Sequence, residues 1–482
     1  GGRKLPPALF RLRELTPMSL TYGVVALGRP TFDVPFAEEM LAKALDALKA
    51  ADIAVVGPPK LLFDADAAEE AMGEIEAGPD IDALLILQIT FTDATMTVRL
   101  AERTKAPVAI WAVPEPRLGG RLRLNAFCGL NLAAHALGKA GVPHGWLYAA
   151  PDADGLADSL RALSNAVTTQ PTAAARGASA SASEAARALE ALRSAKISVI
   201  GEHPAGFDTC AYTPEAIARF NDVRVETFSL ETLFEKAKSA DDARVAAVRA
   251  KAAGALAGLD DVDQEQLDRS FRLYCALEDI QKESGASGLA VRCWPETFTE
   301  YGCAACGPMA MMNQNCVPSA CEADVYGSYS ALILKELAQE PVWMADLVDL
   351  DFDGDTGVFW HCGLAPLSMA DPEATPEATI HTNRKMPLLH QFPLKPGAFT
   401  FARLSQSRNE EKLVIGMGEF LRKPMAFTGT SGVMRLDAGA KKACDAIMAE
   451  GLEHHYAIAY GDHRDGLRAL AAAFDLPVLE LS

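Results

Sequence analysis

The sequence predicts an α/β protein with two doubly wound α/β domains, followed by a β-rich, antiparallel and barrel-like C-terminal domain. Three observations support this fold class. Short apolar runs alternate with amphipathic segments of helical period along most of the 482-residue chain. A stretch poor in large apolar residues, 168–183, interrupts the alternation and is predicted to be a linker. After Val342 the hydrophobic period becomes two, which is typical of antiparallel strands.

The first α/β domain is predicted at residues 20–167. The apolar run Leu20–Leu27 precedes a helical stripe between Pro35 and Ala50, and further strands are predicted at 53–56, 83–88, 108–113 and 146–149. Continuous apolar strands between helices indicate a parallel sheet covered on both faces. Residues 1–19 are basic and are expected to be a leader or an added segment outside the fold.

The central α/β domain is predicted at 184–345 and the β-rich domain at 346–482. In the central domain, strands are expected at 196–201, 223–228 and 289–293, with sites beyond their carboxyl ends. A hairpin is expected around the turn Phe352-Asp353-Gly354-Asp355. A β-α-β unit over 456–481 is expected to end the chain.

Composition excludes several classes of partner. The formal net charge of −19 argues against nucleic acid or an anionic membrane as the main partner. The chain has no continuous apolar stretch of the ~18–20 residues that a membrane span needs. Ten cysteines without a secretory signal are expected to be reduced thiols, and we therefore expect a cytoplasmic protein.

The stretch Val291–Pro366 holds acidic residues in apolar, sulfur-rich surroundings. Glu296 follows a Trp-Pro pair, and Glu322 and Asp324 lie in the first turn of a helix predicted at 322–337. Acidic residues are common in the first turn of a helix, where they complement its dipole. Carboxylates from two different loops are also what a divalent cation or a proton-transferring pair requires. The pattern alone leaves both interpretations open.

Other metal-like patterns are weaker. The spacing Cys303-x2-Cys306-x9-Cys316-x4-Cys321 has no second CxxC pair, so these thiols are interpreted as packing groups. An acidic run from Asp349 resembles a calcium loop but has Trp360 where the twelfth position needs a bidentate Glu.

Histidines provide further candidates near strand ends. His454 and His455 directly precede an apolar strand, where imidazoles could bind a transition metal or simply lie on the surface. His361, at the end of a predicted hairpin strand, is either a polar site residue or a buried structural histidine.

These residues belong to a series of landmarks in a specific order. The landmarks are Pro204-Ala205-Gly206-Phe207-Asp208, Arg292-Cys293-Trp294-Pro295-Glu296, Ala320-Cys321-Glu322-Ala323-Asp324-Val325, Trp360-His361-Cys362-Gly363 and His454-His455 before Tyr460-Gly461. In this order they resemble the L-fucose/L-arabinose isomerase family, and more closely its short fucose-isomerase-like branch. The resemblance covers nearly everything after residue 18.

The resemblance implies a metal-dependent aldose–ketose isomerase that works through a cis-enediol. It implies Mn²⁺, or another divalent cation, bound by Glu296, Asp324 and His455, with Glu296 and Asp324 also catalytic. The family's sites are completed by the N-terminal domain of a neighbouring subunit in a homo-oligomer, often a hexamer. The candidate substrate contacts are Arg29, Gln88, Trp111 and His361.

The chain is shorter than full-length L-fucose isomerases, which leaves the substrate open. An L-fucose-like aldose and a sulfosugar such as sulfoquinovose are both compatible with the resemblance. A sulfonate would require cationic partners, for which Arg29 and Arg292 are available. The alternatives are an epimerase or aldolase that uses the same metal-enediolate chemistry, and a non-catalytic sugar-binding relative.

Overall fold

The computed structural model describes residues 20–165, 175–176 and 183–481. The expected leader, 1–19, and most of the expected linker, 168–183, lie outside the described residues. Within them the mixed α/β class is confirmed, with two parallel sheets and one large mixed sheet. None of the described helices combines the length and apolar character needed to cross a membrane.

The N-terminal domain is built on a parallel sheet in the order β2-β1-β4-β5-β6, with β3 beside β1. Its strands are β1 (Leu20–Leu27), β2 (Ile53–Val56), β3 (Leu61–Leu62), β4 (Ala83–Gln88), β5 (Val108–Ala112) and β6 (His144–Tyr148). Its helices are α1 (Val34–Ala50), α2 (Ala65–Glu76), α3 (Thr95–Arg103), α4 (Ala126–Lys139) and α5 (Leu156–Ala162). The strand order reverses between β1 and β4, so the loops after these two strands diverge and leave a crevice at the carboxyl edge of the sheet.

Helix α1 illustrates how the sequence forms these elements. Asp33 caps the helix by accepting a hydrogen bond from the Phe36 backbone N–H, and Pro35 lies in the first turn. Buried residues recur at helical spacing from Phe36 to Leu48 and pack against the sheet.

The next part of the chain contains a two-residue strand and a second parallel sheet. Strand β7 (Ala175–Arg176) is followed by β8 (Lys196–Ile200), β9 (Arg224–Phe228), β10 (Gly288–Val291) and β11 (Ser319–Ala320). The helices are α6 (Ser183–Leu192), α7 (Pro214–Ala218), α8 (Leu230–Lys238), α9 (Asp242–Ala253), α10 (Gln264–Ser284), α11 (Cys306–Gln314) and α12 (Val325–Ala338). The central sheet has the order β11-β10-β8-β9, and each pairing in it is parallel. Its carboxyl edge carries Arg292 to Glu296 after β10 and Cys321 to Asp324 after β11.

The C-terminal region forms the mixed sheet, and its strands close a barrel. They are β12 (Trp343–Asp351), β13 (Thr356–His361), β14 (Glu377–Thr379), β15 (Leu389–Pro393), β16 (Gly397–Ser405), β17 (Lys412–Phe420), β18 (Thr430–Leu436), β19 (His455–Tyr460) and β20 (Pro477–Leu481). Two helices accompany them, α13 (Ala440–Glu450) and α14 (Arg464–Ala473). Strands β18, β13, β12, β19, β16 and β17 pair antiparallel in succession, and β17 pairs with β18 to close the ring.

The predicted hairpin is confirmed by the pairing of β12 with β13. The last two strands flank α14 as predicted, but they are not neighbours, because β20 pairs in parallel with β17. Strand β7 pairs with β20, so a piece of chain that follows the N-terminal domain joins the edge of the barrel sheet.

Helix α4 connects the N-terminal domain to the barrel. It is buried from Ala126 to Leu137, and His135 Nδ1 donates to the Gly451 carbonyl oxygen at 2.8 Å. Tyr148 at the end of β6 donates to Asp349 of β12. The N-terminal domain therefore packs directly against the barrel. The candidate site lies in a cleft to which the central domain also contributes.

Candidate active site

Asp346 and His455 face each other across two antiparallel strands. They are register partners on β12 and β19, and His455 Nε2 lies 3.2 Å from Asp346 Oδ1. The next residue, Tyr456, packs edge-on against Phe359 and Phe401 of the barrel. Because side chains alternate along a strand, His455 points to the opposite face of β19, toward the central domain.

Glu322 reaches the same place from the central domain. It lies in a short turn, Cys321–Ala323, between β11 and α12, with a φ of 58° in the left-handed region. Ala323 also has a positive φ, so two consecutive non-glycine residues hold a costly backbone conformation. Helix α12 begins only at Val325, and Glu322 therefore precedes the helix instead of forming its first turn.

Both oxygens of Glu322 have partners. Trp294 Nε1 donates to Oε1 at 3.1 Å, and His454 Nε2 lies 3.2 Å from Oε2. His455 Nε2 is 3.8 Å from the same Oε2. Phe207, in the first of the landmarks, packs edge-on against both Trp294 and His454. This packing restricts the side chains that hold Glu322.

Asp324 has a different place from the one predicted. It is fully buried, caps α12 through the Gly327 N–H at 2.8 Å, and forms a bidentate ion pair with buried Arg403. Its Oδ2 lies 2.8 Å from His455 Nδ1. With the proton on Nδ1, His455 donates to Asp324 and directs the lone pair of Nε2 toward Glu322 and Asp346. Asp324 therefore orients the histidine from behind.

His455 is the common member of three groups whose ligand atoms lie close enough to share one cation. These groups are Glu322 with His454 and His455, Asp346 with His361 and His455, and Cys210 with Asp324 and His455. Only the first two groups face the cleft. In the third group, the Asp324 carboxylate is already paired with Arg403. Asp346 Oδ1 is buried and accepts no hydrogen bond from the described part of the chain. His455 Nε2 thus lies near two carboxylate oxygens, and such neighbouring acceptor atoms need a shared proton or a cation.

Burial and the neighbouring charges shift the pKa values of the side chains in this cluster. Burial opposes ionisation of Glu322, but the hydrogen bond and charge of His454, the charge of His455 and the Trp294 hydrogen bond outweigh burial and lower its pKa. Burial would lower the pKa of His455, yet Asp324, Asp346 and Glu322 together raise it. Burial lowers the pKa of His361. The cluster therefore favours a positive charge at His455 Nε2, supplied by a proton or by a metal.

The cluster opens into a cleft between the domains. Its lining comes from all three domains and includes Arg29, Thr31, Phe91, Asn125, Trp294, Phe298, Glu322, Asp346, His361, Arg384 and His454. Residues of the N-terminal domain thus reach the site within one chain. The contribution of a neighbouring subunit remains a prediction.

The predicted site residues fall into two sets. His455, Asp324, His361 and Arg29 lie in or directly behind the cleft. Glu296 does not join the cluster, because both of its oxygens accept from Arg292 at 2.7 Å in a partly exposed ion pair. The same pair occupies Arg292, the second arginine considered for a sulfonate.

Gln88 and Trp111 do not line the cleft. Gln88 is buried and donates to the Thr90 carbonyl and the Thr92 hydroxyl. Trp111 is buried in the sheet and donates to the Ala149 carbonyl at 2.9 Å. Both residues therefore direct their N–H donors into the N-terminal domain, while Gln88 Oε1 has no hydrogen-bond partner among the described residues.

Sequence reasoning did not select Asp346 and passed over Glu322 in favour of Asp324. For Asp346, the available signal was a carboxylate inside an apolar strand. Residues 343–350 of that strand are all buried. An unpaired buried carboxylate is costly, so such a residue indicates a partner supplied from elsewhere.

Cys293 and Cys321 also differ from expectation. They were expected to be free thiols, but the structure joins them in a disulfide, with 5.8 Å between their Cα atoms. The bond links the loop that carries Trp294 to the turn that carries Glu322. The other cysteines, including Cys303, Cys306 and Cys316, are free, and most of them are buried.

Comparison with known proteins shows the class of this site. The family model described as fucose/sulfoquinovose isomerase, N-terminal domain, matches residues 23–169, and that of the L-fucose isomerase C-terminal domain matches residues 360–482. The fold and these matches define a sugar isomerase.

Curated relatives match nearly the full length. A protein named sulfoquinovose isomerase from Priestia megaterium is 30% identical over 454 residues, which cover 94% of this chain and 97% of the relative. Proteins of the same name from Clostridium sp. and Alkalicoccus urumqiensis are 31% and 28% identical and cover 92% and 96% of this chain (95% and 99% of the relatives). The chain belongs to the fucose/sulfoquinovose isomerase family. It is an aldose–ketose isomerase.

Proposed function

We propose that this enzyme isomerises sulfoquinovose, a six-carbon aldose with a sulfonate at C6, to the corresponding 2-ketose, using a divalent cation bound by Glu322, Asp346 and His455. The observation that carries the cation site is the position of His455 Nε2, which lies 3.8 Å from Glu322 Oε2 and 3.2 Å from Asp346 Oδ1 and belongs to one possible metal-binding group with each of these carboxylates. The substrate is supported by the name shared by the relatives that match more than nine-tenths of the chain.

The donor set fits such an ion. Two carboxylates and an imidazole suit Mn²⁺ and similar divalent cations. Asp324 holds the remaining ring nitrogen of His455, as a carboxylate behind a metal-binding histidine commonly does. When bound, the cation polarises the substrate carbonyl and offsets the negative charge that develops on its oxygens. This set replaces Glu296 and Asp324 of the sequence-based prediction with Glu322 and Asp346.

The residues of the chain supply the proton transfers. Glu322 has a lowered pKa, so it is ionised at neutral pH and accepts the C2 proton, which it returns to C1 of the cis-enediol. Trp294 and His454 hold the carboxylate in one orientation through their hydrogen bonds. Asp346 transfers the hydroxyl proton between O1 and O2.

The direct test is turnover of sulfoquinovose in deuterated water with and without added Mn²⁺. We expect a 2-ketose with deuterium incorporated at the exchanged carbon, no change in carbon count, and loss of turnover after chelation that Mn²⁺ restores. Cleavage of the carbon chain would indicate an aldolase, and inversion at C2 without ketose would indicate an epimerase. Full activity in the chelated, metal-free enzyme would overturn the cation site.

A hexameric assembly and a cytoplasmic location remain predictions. Sedimentation of the purified protein tests the first. Microscopy of a tagged protein in the source cell tests the second.

A further inference from the structure

Two arginines that line the cleft, Arg29 and Arg384, lie beside Trp294, and we call this part of the cleft its arginine end. The Cζ atom of Arg29 lies 5.2 Å from the Trp294 ring centroid, and that of Arg384 lies 5.3 Å from the same ring. Arg29 also lies 5.3 Å from the Phe91 ring, and Arg384 lies 5.2 Å from the Phe298 ring. Aromatic faces restrict both guanidinium groups, and an aromatic contact of this kind does not itself consume an N–H donor.

The two arginines differ in how their charge is balanced. Arg29 forms an ion pair with Asp93 at 2.9 Å. Within the described residues, no carboxylate lies at ion-pair distance from Arg384. Burial, together with the charge of Arg29, lowers the pKa of Arg384. This end of the cleft therefore carries an uncompensated positive charge in an aromatic setting, where an anion would be bound strongly.

Trp294 also connects this end to the acidic end. Its Nε1 donates to Glu322 Oε1 at 3.1 Å, while its ring centroid lies 5.2 Å from Arg29 Cζ and 5.3 Å from Arg384 Cζ. One cleft thus has carboxylates and imidazoles at one end and guanidinium groups at the other. A ligand that fits both ends has a carbonyl and hydroxyl groups at one terminus and an anionic group at the other.

We propose that Arg384, assisted by Arg29, binds the sulfonate of the substrate beside Trp294 and thereby selects a sulfonated sugar over an uncharged one. The inference rests on the proposed function, because it assumes that C1 and C2 of the sugar lie at the acidic end. A sulfonate presents three oxygens to the fork of guanidinium donors, which matches Arg better than the single ammonium of Lys. Arg292 cannot fill this role, since its guanidinium is paired with Glu296.

The kinetic test compares sulfoquinovose with D-quinovose, which has the same ring but a methyl group in place of the sulfonated carbon. In Arg384→Gln, we expect KM for sulfoquinovose to rise about tenfold to hundredfold, the range for loss of a charge-assisted hydrogen bond. We expect kcat to change by less than about threefold, because the reacting carbons are at the other end. The kinetic constants for D-quinovose, or its inhibition constant if turnover is too slow, should be unchanged.

The matched control is Lys423→Gln, which also removes one positive charge but at an exposed position outside the cleft. It should leave both substrates unaffected. Arg384→Lys keeps the charge without the fork and should raise KM less than Arg384→Gln. An unchanged preference for sulfoquinovose over D-quinovose in Arg384→Gln would overturn the anion site.

A binding measurement separates this inference from the proposed function. Ethanesulfonate is titrated into the wild-type enzyme, Arg384→Gln and Lys423→Gln by calorimetry, with thermal unfolding as the check on folding. We expect binding to the wild type and to Lys423→Gln, and at least about tenfold weaker binding to Arg384→Gln. If ethanesulfonate binding depends on Arg384 but sulfoquinovose is not isomerised, the proposed function fails and the anion site stands. If sulfoquinovose is isomerised and neither its KM nor ethanesulfonate binding depends on Arg384, the anion site fails and the function stands.

Discussion

Asp324 Oδ2 lies 2.8 Å from Nδ1 of His455, while Nε2 of the same ring faces Asp346 at 3.2 Å. The imidazole therefore bridges a carboxylate that orients it and a carboxylate that shares its site. Arg403 neutralises Asp324 from the other side, so Asp324 keeps its charge although it is fully buried. This relationship divides the acidic residues near the cleft into Asp324, which orients His455, and the carboxylates that we propose as ligands.

Asp324→Asn should weaken both the fold and the metal site. Removing one partner of a buried ion pair leaves Arg403 uncompensated, and we expect a loss of about 3–5 kcal/mol in the free energy of unfolding. Loss of the carboxylate behind His455 should lower Mn²⁺ affinity about 10–100-fold. Chemical denaturation and metal titration measure the two effects.

A matched control for Asp324→Asn is Glu450→Gln, which breaks the buried pair between Lys412 and Glu450. It should destabilise the protein comparably but leave Mn²⁺ affinity unchanged. Equal losses of metal affinity in both variants would mean that Asp324 acts only through stability.

The variants Glu322→Gln and Glu296→Gln should distinguish between two ligand sets. One set is proposed from the structure, and the other was predicted from the sequence. We expect Glu322→Gln to lower kcat by about 10²–10⁴-fold, because the proton-accepting carboxylate is lost. Glu296→Gln removes a partly exposed ion pair worth at most about 1 kcal/mol and should keep a near wild-type rate. Steady-state kinetics with bound-metal analysis decides between them. The reverse pattern of activities would restore Glu296 to the site.

The free energy of unfolding should fall in mild acid, because His390 is buried in its neutral form. Its ring is buried, and burial lowers its pKa to about 4 against a smaller opposing effect of the Ala365 backbone. Below pH ~6.5 the unfolded chain binds a proton that the folded protein does not, so stability is lost as pH falls from about 6.5 to about 4. The shift corresponds to about 3 kcal/mol.

His390→Leu tests this pH dependence by urea unfolding between pH 8 and pH 4. The variant should lose less stability than the wild type over the acid range. At pH 8 His390 is neutral in both states, so any difference there reports packing alone. Parallel stability curves for the two proteins would show that His390 does not contribute.

The disulfide between Cys293 and Cys321 should stabilise the cleft. It closes a loop with a sequence separation of 28, for which chain entropy predicts about 3–4 kcal/mol. We expect the double variant Cys293→Ser/Cys321→Ser to unfold at lower denaturant by about this free energy. Peptide mapping without reductant should find the two residues linked in the wild type. Two alkylated thiols in that experiment would contradict the bond.

Much of the fold follows from local patterns. Strand β4 has the bounds that its apolar run predicts, and the hairpin of β12 and β13 forms around the predicted turn. Residues 230–284 form three helices, because capping residues such as Asp241 and Asp263 start new ones. The pairings of β12 with β19 and of β13 with β18 connect segments that are distant in the chain, which no local pattern reveals.

The sequence by itself determined the α/β class and the resemblance to the family, because periodicity and ordered landmarks are properties of the chain. Only the tertiary structure decided which carboxylates face His455. Glu296, Glu322, Asp324 and Asp346 are all acidic residues near element ends or in strands, and their spacing does not distinguish them. Arg292 and Arg403 remove Glu296 and Asp324 from the cleft, while cross-strand register and a left-handed turn bring Asp346 and Glu322 into it. These relationships depend on contacts between distant segments, and they exist only once the barrel and the central sheet have packed together.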